Sequence, residues 1–155
     1  MARVTIRGSK QLQNKLKLLR QRTQGKVREG LAAGATEIVA MMKRQVPDGP
    51  GTGERDLKGT IKWHFGAEEG GGSDAKTGRS ASTRATITAG DAKNPEARWV
   101  EFGTAPHVQG GSRPGTQHPG TAKRPYFFSS YRALRKRAKS LVAKSIKEAV
   151  RSVVR

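Results

Sequence analysis

Cysteine is absent from the 155-residue chain, and acidic residues, aromatic residues and long apolar runs are scarce. Without cysteine, the protein has no disulfide framework and no thiolate-bound metal. No apolar run approaches the roughly 18 residues that span a bilayer. The N-terminus lacks the apolar region of a signal peptide. We therefore expect a protein that stays in a cytoplasm or is packed into a particle assembled there, with no membrane partner.

Acidic residues number only 12 against 31 lysines and arginines, so the net charge is +19. A small domain with this charge repels itself and attracts polyanions. Nucleic acid, an anionic membrane surface and acidic proteins are all partners of this kind. The charge therefore predicts an anionic partner without choosing its class.

Hydrophobic residues make up 34% of the chain and aromatic residues 5%, which is below the ordinary share. The length predicts a single domain over 1–155, with a thin core that partner chains help to bury. Glycine is abundant, at 19 residues. Two Gly-rich segments, 66–82 and 105–124, are predicted to be loops that are flexible or become ordered on assembly.

The N-terminal third shows two periodicities. Residues 2–7 alternate as a short strand. An apolar stripe from Leu12 to Met42 then recurs at three- and four-residue steps, which is typical of one face of a helix. Because Gly25 and Gly30 disfavour helix, the stripe predicts either one long helix or a helix pair.

The remaining chain predicts strands and then a helix. Segments 61–65 and 84–89 alternate as a strand and its return strand, while 97–102 is too short to separate helix from strand. From Tyr126 the pattern is helical to the end, with no glycine or proline. The fold class is therefore α+β: a small antiparallel sheet packed by a long N-terminal helix, or helix pair, and a long C-terminal helix.

Two short apolar blocks enclose a long Gly/Pro loop. The first reads Trp-Val-Glu-Phe-Gly-Thr at 99–104, and the second reads Pro-Tyr-Phe-Phe at 125–128. We interpret the blocks as anchors that hold the loop, and truncating Phe102 or Phe127 is expected to cost about 3–5 kcal/mol if they are buried. The predicted assembly or anchor motif comprises Trp99, Glu101, Phe102, Gly103, Thr104, Pro125, Tyr126, Phe127 and Phe128.

Glu101 is the one acidic residue beside the apolar anchors. Its carboxylate can pair with an arginine or accept backbone N–H groups of the loop. We favour a buried or interfacial salt bridge to Arg98, Arg124 or a neighbouring subunit. Gly103 is predicted to adopt a positive φ or to let another backbone segment approach.

The C-terminal helix has an apolar face and a basic face. The apolar face is predicted to pack on the sheet or on the N-terminal helix. It comprises Phe127, Tyr131, Leu134, Ala138, Leu141, Ile146, Ala149, Val150 and Val153. The basic face, with Glu148 as its only acid, is the candidate surface for a partner or for DNA. It comprises Arg132, Arg135, Lys136, Arg137, Lys139, Lys144 and Lys147.

Patterns for catalysis, metal and nucleotide binding are weak. Residues 70–77 approach the phosphate-loop pattern but lack its second glycine and its strand–helix context. His107 and His118 share one loop without a nearby acid or cysteine to complete a metal site. Paired carboxylates in a pocket are missing as well. We therefore expect no cofactor, no metal and no enzymatic activity.

Glu-Phe-Gly-Thr at 101–104, a loop, and Pro-Tyr-Phe-Phe at 125–128 before a basic helix resemble the neck and tail-completion family of long-tailed bacteriophages. The stretch 56–61 before a strand is similar too. The resemblance implies a virion protein, assembled in the bacterial host cytoplasm, that forms a ring around the DNA channel with non-specific DNA contact. It implies a hexamer, with a dodecamer as the alternative, between a head-side connector or stopper and a tail terminator or tail tube protein.

A stand-alone basic nucleic-acid-binding protein is the alternative, and its support is the charge. Helix-turn-helix, zinc-finger and RNA-binding aromatic signatures are missing from the sequence. A membrane-surface role of the last helix ranks lower, because its alanine and valine content makes it weakly apolar.

Overall fold

The structure is a computed structural model. The residues that it describes are 8–47, 56–66, 83–91, 94–110 and 114–154. The strand predicted at 2–7 lies outside these ranges. So do residues 67–82, which form most of the first predicted loop and contain the stretch 70–77.

Two long helices frame a small sheet, which confirms the predicted α+β class. The elements in chain order are α1 (Ser9–Gln45), α2 (Leu57–Thr60), β1 (Lys62–Phe65), β2 (Ala85–Thr88), α3 (Glu96–Phe102), β3 (His107–Val108), β4 (Gln117–His118) and α4 (Phe127–Val154). The ambiguous segment 97–102 is therefore helical. Among the described residues, no helix is long and apolar enough to cross a membrane.

Helix α1 is a single helix of 37 residues, which at 1.5 Å per residue is about 55 Å long. It follows Gly8 at φ 87° and ends at Gln45. The next residue, Val46, is extended because a proline follows it. Of the two predicted alternatives, one long helix or a helix pair divided near Gly25 or Gly30, the single helix is the one observed. The cost of glycine in a helix is about 1 kcal/mol, and tertiary packing of the helix outweighs it.

Helix α4 runs antiparallel to α1. At one end the Arg22 guanidinium donates to the Ser152 carbonyl over 2.8 Å, and at the other the Ser130 hydroxyl donates to Gln45 Oε1 over 2.7 Å. Two glycines of α1 lie against α4: a Cβ added at Gly34 would lie 2.9 Å from the Ala138 Cβ, and one added at Gly30 would lie 2.9 Å from the Val142 Cα. Gly30 and Gly34 therefore serve the contact between α1 and α4, whereas Gly25 has open space around it.

Strands β1 and β2 pair antiparallel, with Trp63 opposite Ile87, as the alternation predicted. The sheet is joined to α1 by polar and cationic contacts as well as apolar ones. The Trp63 indole N–H donates to Thr36 Oγ1 over 3.1 Å. The Arg28 guanidinium lies 4.3 Å above the Phe65 ring, a cation–π contact. These contacts hold the hairpin against the middle of α1.

The core is small, as the composition predicted. It gathers the C-terminal half of α1, the α2 turn, α3 and the start of α4. Its buried members are Ile38, Val39, Met42, Val46, Leu57, Ile61, Ala97 and Tyr126. Leu134 and Ala138 of the predicted apolar face of α4 pack against it. Tyr131 and Val150, assigned to the same face, are exposed instead.

Candidate functional site

The carboxylate of Glu101 caps a helix other than its own. Glu101 lies near the end of α3 and is only 6% exposed. Its Oε2 accepts the N–H groups of Tyr126 and Phe127 over 2.8 Å each, and its Oε1 accepts the N–H of Phe128 over 3.0 Å. The first N–H groups of a helix have no partner within the helix, and the positive end of its dipole favours an anion. Glu101 therefore binds α3 to the start of α4.

The favoured salt bridge of Glu101 to Arg98 or Arg124 is corrected, while a salt bridge to a neighbouring subunit stays a prediction. Neither Arg98 nor Arg124 pairs with it among the described residues. The Arg124 backbone N–H instead donates to the Val100 carbonyl over 2.7 Å, which places the backbone rather than the guanidinium beside α3. The Glu101 carboxylate instead has the second predicted role, because it accepts backbone N–H groups.

Gly103 has φ 72°, as predicted, and both of its predicted roles occur together. A Cβ there would lie 2.6 Å from the Thr121 carbonyl oxygen, so only glycine permits this approach without strain. The neighbouring Thr104 exchanges two backbone hydrogen bonds of 3.1 Å with Thr121, and their hydroxyls lie 2.8 Å apart. This bridge closes the loop at its base.

The predicted loop 105–124 contains the short hairpin β3–β4. His107 pairs with His118 across it, and their rings stack with centroids 5.0 Å apart. His107 Nδ1 lies 2.9 Å from the Ala105 carbonyl and donates to it, whereas His118 Nδ1 accepts the Gly120 N–H over 3.0 Å. The rings therefore hold different tautomers. Among the described residues, no cluster of His, Cys, Asp and Glu suits a metal ion.

Four aromatic side chains beside the Glu101 cap form what we call the aromatic patch: Trp99, Phe102, Phe128 and Tyr131. Trp99 is 51% exposed and Phe102 is 61% exposed. The Phe102 and Phe128 rings lie 6.0 Å apart. Each of the other two members is three residues along the helix from one of these rings, which places it on the same face.

The exposure of the patch corrects one expectation. Truncation of Phe102 was expected to cost core burial energy, yet Phe102 lies mostly in solvent. Tyr126 is the aromatic anchor that is fully buried. Burial, followed by the nearby Glu101 carboxylate, raises the pKa of Tyr126 to about 12. The motif thus combines a buried anchor, Tyr126, with aromatic rings presented outward.

The basic face of α4 lies opposite its contact with α1. Arg132, Lys136 and Lys139 are exposed and recur at helical spacing, which places them on one side. Arg137 is an exception, because it forms two hydrogen bonds of 2.6 and 3.1 Å with the Glu37 carboxylate. That contact lowers the pKa of Glu37. Residues 102–147 contain ten lysines and arginines and no acid, so this stretch of the chain is strongly positive.

Sequence reasoning missed several residues that position the motif. Gly120, at φ 84°, lies so close to the Thr104 carbonyl that a Cβ cannot fit. Gln45 accepts the hydroxyls of Ser129 and Ser130 over 3.1 and 2.7 Å, which joins the ends of α1 and α4. The Pro-Gly pair at 119–120 is a turn signal, but no local pattern indicates contacts between residues 85 positions apart.

A family model described as "Bacteriophage HK97-gp10, putative tail-component" matches residues 10–103. The match covers α1, the β1–β2 sheet and α3, including the first half of the anchor motif through Gly103. No curated protein and no solved structure matches the chain.

Proposed function

The chain belongs to the HK97-gp10-like family of bacteriophage tail components, and on that premise we propose that it forms a ring in the phage neck. In this proposal the ring is a homo-oligomer around the DNA channel that joins the head-side connector or stopper to the tail terminator or tail tube. A hexamer matches the symmetry that the family resemblance implies, and a dodecamer is the alternative. The role is structural and not enzymatic, and the ring is incorporated into the virion during assembly in the host cytoplasm.

The aromatic patch is the single observation that carries the assembly role. Aromatic residues are enriched in protein interfaces and dominate their energetics, and exposed clusters of large apolar side chains mark interaction sites. Here two of them, Phe102 and Phe128, contact each other. The Glu101 cap holds α3 and α4 in fixed relation, so the patch is presented without an ordering cost at binding.

A ring follows if the patch contacts a different surface of the next copy, because a heterologous interface that closes on itself produces a cyclic oligomer. The net charge of +19 opposes this association, since every added copy brings further positive charge. A polyanion in the channel relieves the repulsion. The basic face of α4 then serves as the surface that contacts DNA phosphates without reading sequence.

The patch predicts that Phe102→Ser and Tyr131→Ser variants fold but fail to assemble. Both residues are exposed, so the free energy of unfolding should fall by no more than about 1.5 kcal/mol, which is the contribution of a contact between aromatic side chains. Light scattering at high salt should show a ring mass for the wild type and a subunit mass for the variants. Val150→Ser is the matched control, because Val150 is exposed on the same helix outside the patch. Variants that assemble like the wild type would refute the assembly role of the patch.

The charge predicts how salt and duplex DNA act. The mass of the protein measured in solution should rise from that of the subunit to that of the ring at high salt, because salt screens the repulsion between copies. Addition of duplex DNA at low salt should have the same effect. Each phosphate contact contributes a slope of roughly −0.9 to log K against log salt. Changing Arg135, Lys136 and Lys139 together to Glu should shrink that slope by about 2–3 and leave the melting curve unchanged. A monomer that binds DNA tightly and never assembles would instead support the stand-alone nucleic-acid-binding alternative.

A further inference from the structure

The N-terminal part of α1 extends beyond the end of α4. Helix α4 ends at Val154, and its contact with α1 at that end is the bond from Arg22 to Ser152. Gly34 lies against Ala138 and Gly30 against Val142, so in the same antiparallel register the end of α4 lies opposite the turn of α1 near Leu18. The residues of α1 before that turn have no α4 segment opposite them among the described residues. They include Leu12, which is 60% exposed, and Leu16, which is 55% exposed.

These leucines belong to a stripe that continues an existing interface. We call it the leucine stripe: Leu12, Leu16, Leu19, Thr23 and Val27. The steps of four, three, four and four residues place its members on one face of α1. The next members of the same series are Gly30 and Gly34, which contact α4 directly. Its first members, Leu12 and Leu16, are thus the open continuation of the face of α1 that already binds a helix, whereas Leu19, Thr23 and Val27 are half-buried.

The stripe borders a cleft of about 340 Å³, whose lining includes Leu16, Leu19, Val27 and Thr83. The apolar wall and the spacing of its side chains suit an amphipathic helix, which binds grooves through anchors at three- and four-residue intervals. From Leu12 to Leu19, its part beside and beyond the end of α4, the stripe spans about 10 Å, or roughly two turns of a partner helix.

The charges beside the stripe select the partner. Residues 8–28 contain seven lysines and arginines and no acid. Lys15 and Arg20 flank the leucines, and neither forms an ion pair among the described residues. Two copies of this segment packed together would align like charges, which disfavours self-pairing. A helix with acidic flanks would instead be attracted to the same face.

We propose that the leucine stripe is a docking site for an acidic amphipathic helix of another protein. The site is separate from the aromatic patch and does not depend on ring formation. Leucine-like side chains of the partner pack along the stripe, and its glutamates or aspartates pair with the flanking cations. The apolar contact supplies most of the affinity, whereas the charges set the choice of partner.

The test uses synthetic peptides of about 21 residues, which is three heptads, labelled with a fluorophore, and the full-length chain. One peptide carries leucine at its apolar heptad positions and glutamate at the flanking positions; the other carries lysine at those flanks. Fluorescence anisotropy should show binding of the glutamate peptide, weakened by salt, and at least about tenfold weaker binding of the lysine peptide.

Two variants separate the stripe from the surrounding surface. Leu16→Glu should weaken binding of the glutamate peptide by about tenfold or more while leaving the fold intact, because Leu16 is mostly exposed. Leu18→Glu is the matched control: Leu18 is 41% exposed on the same helix but lies off the stripe, so binding should change by less than about twofold.

Three outcomes would overturn the proposal. Equal binding of both peptides would show that the flanking cations do not favour an acidic partner helix over a basic one. A protein mass that falls in Leu16→Glu and not in Leu18→Glu would assign the stripe to a second copy. Binding of the glutamate peptide only after residues 67–82 are replaced by a short linker would assign the stripe to the chain itself. Because the ring tests involve Phe102 and Tyr131, failure here leaves the proposed ring untouched.

Discussion

Removal of the Glu101 carboxylate should destabilise the protein more than a surface mutation. The side chain accepts three backbone N–H groups and is almost fully buried. Hydrogen bonds to charged groups contribute roughly 1.5–3 kcal/mol each, and these three share one cap, so they do not add fully. We expect Glu101→Ala to lower the free energy of unfolding by about 3–5 kcal/mol.

Glu101→Gln should have a smaller effect, because its amide oxygen can still accept the N–H groups of Tyr126 and Phe127. Its NH₂ group then faces the N–H of Phe128, so two donors meet. We expect a loss of about 1–3 kcal/mol.

Urea denaturation followed by circular dichroism measures both losses, and thermal melting should shift by about 2–4 °C per kcal/mol. Glu96→Gln is the control, since Glu96 lies on the same helix α3 but only in its first turn. Its loss should not exceed about 1 kcal/mol. If Glu101→Ala unfolds within 1 kcal/mol of the wild type, the cap is not what joins α3 to α4, and the reasoning fails.

Two further predictions concern helix contact and pH. Gly34→Ala should destabilise the protein despite the better helix propensity of alanine, because its Cβ would meet Ala138 at 2.9 Å. Gly25 has open space around it, so Gly25→Ala should stabilise the protein by up to about 1 kcal/mol. Urea denaturation of the two variants measures both changes. Since the pKa of Tyr126 is raised to about 12 from 10.0, stability should be constant below pH 10.0 and fall as pH rises toward 12. Tyr126→Phe should lose this dependence in alkaline denaturation, and an unchanged profile would contradict the burial of the phenol.

Local patterns predicted the elements well because the information is local. The alternation around Trp63 and Ile87 predicted the strands and their pairing, and the amphipathic pattern after Tyr126 predicted α4. The positive φ of Gly103 was predicted for the same reason: glycine between apolar blocks signals a special backbone geometry.

Predictions about burial were weaker. Phe102 is as apolar as Tyr126, yet one is exposed and the other buried. Composition cannot separate them, because burial depends on which face of α3 or of the start of α4 meets α1. The role of Glu101 had the same difficulty: a carboxylate beside two arginines predicts a salt bridge, whereas the backbone of a segment 25 residues away supplies its partners.

Composition and short-range patterns were sufficient to predict the α+β class, the thin core, the two long amphipathic helices and the positive charge, since each depends on composition or on residues a few positions apart. The capping role of Glu101, the contact of α1 with α4 at Gly34, the exposed aromatic patch and the open end of the leucine stripe became evident only in the folded chain. These depend on contacts between residues far apart in the chain, where the crossing of the helices determines which face is covered and which remains available to a partner.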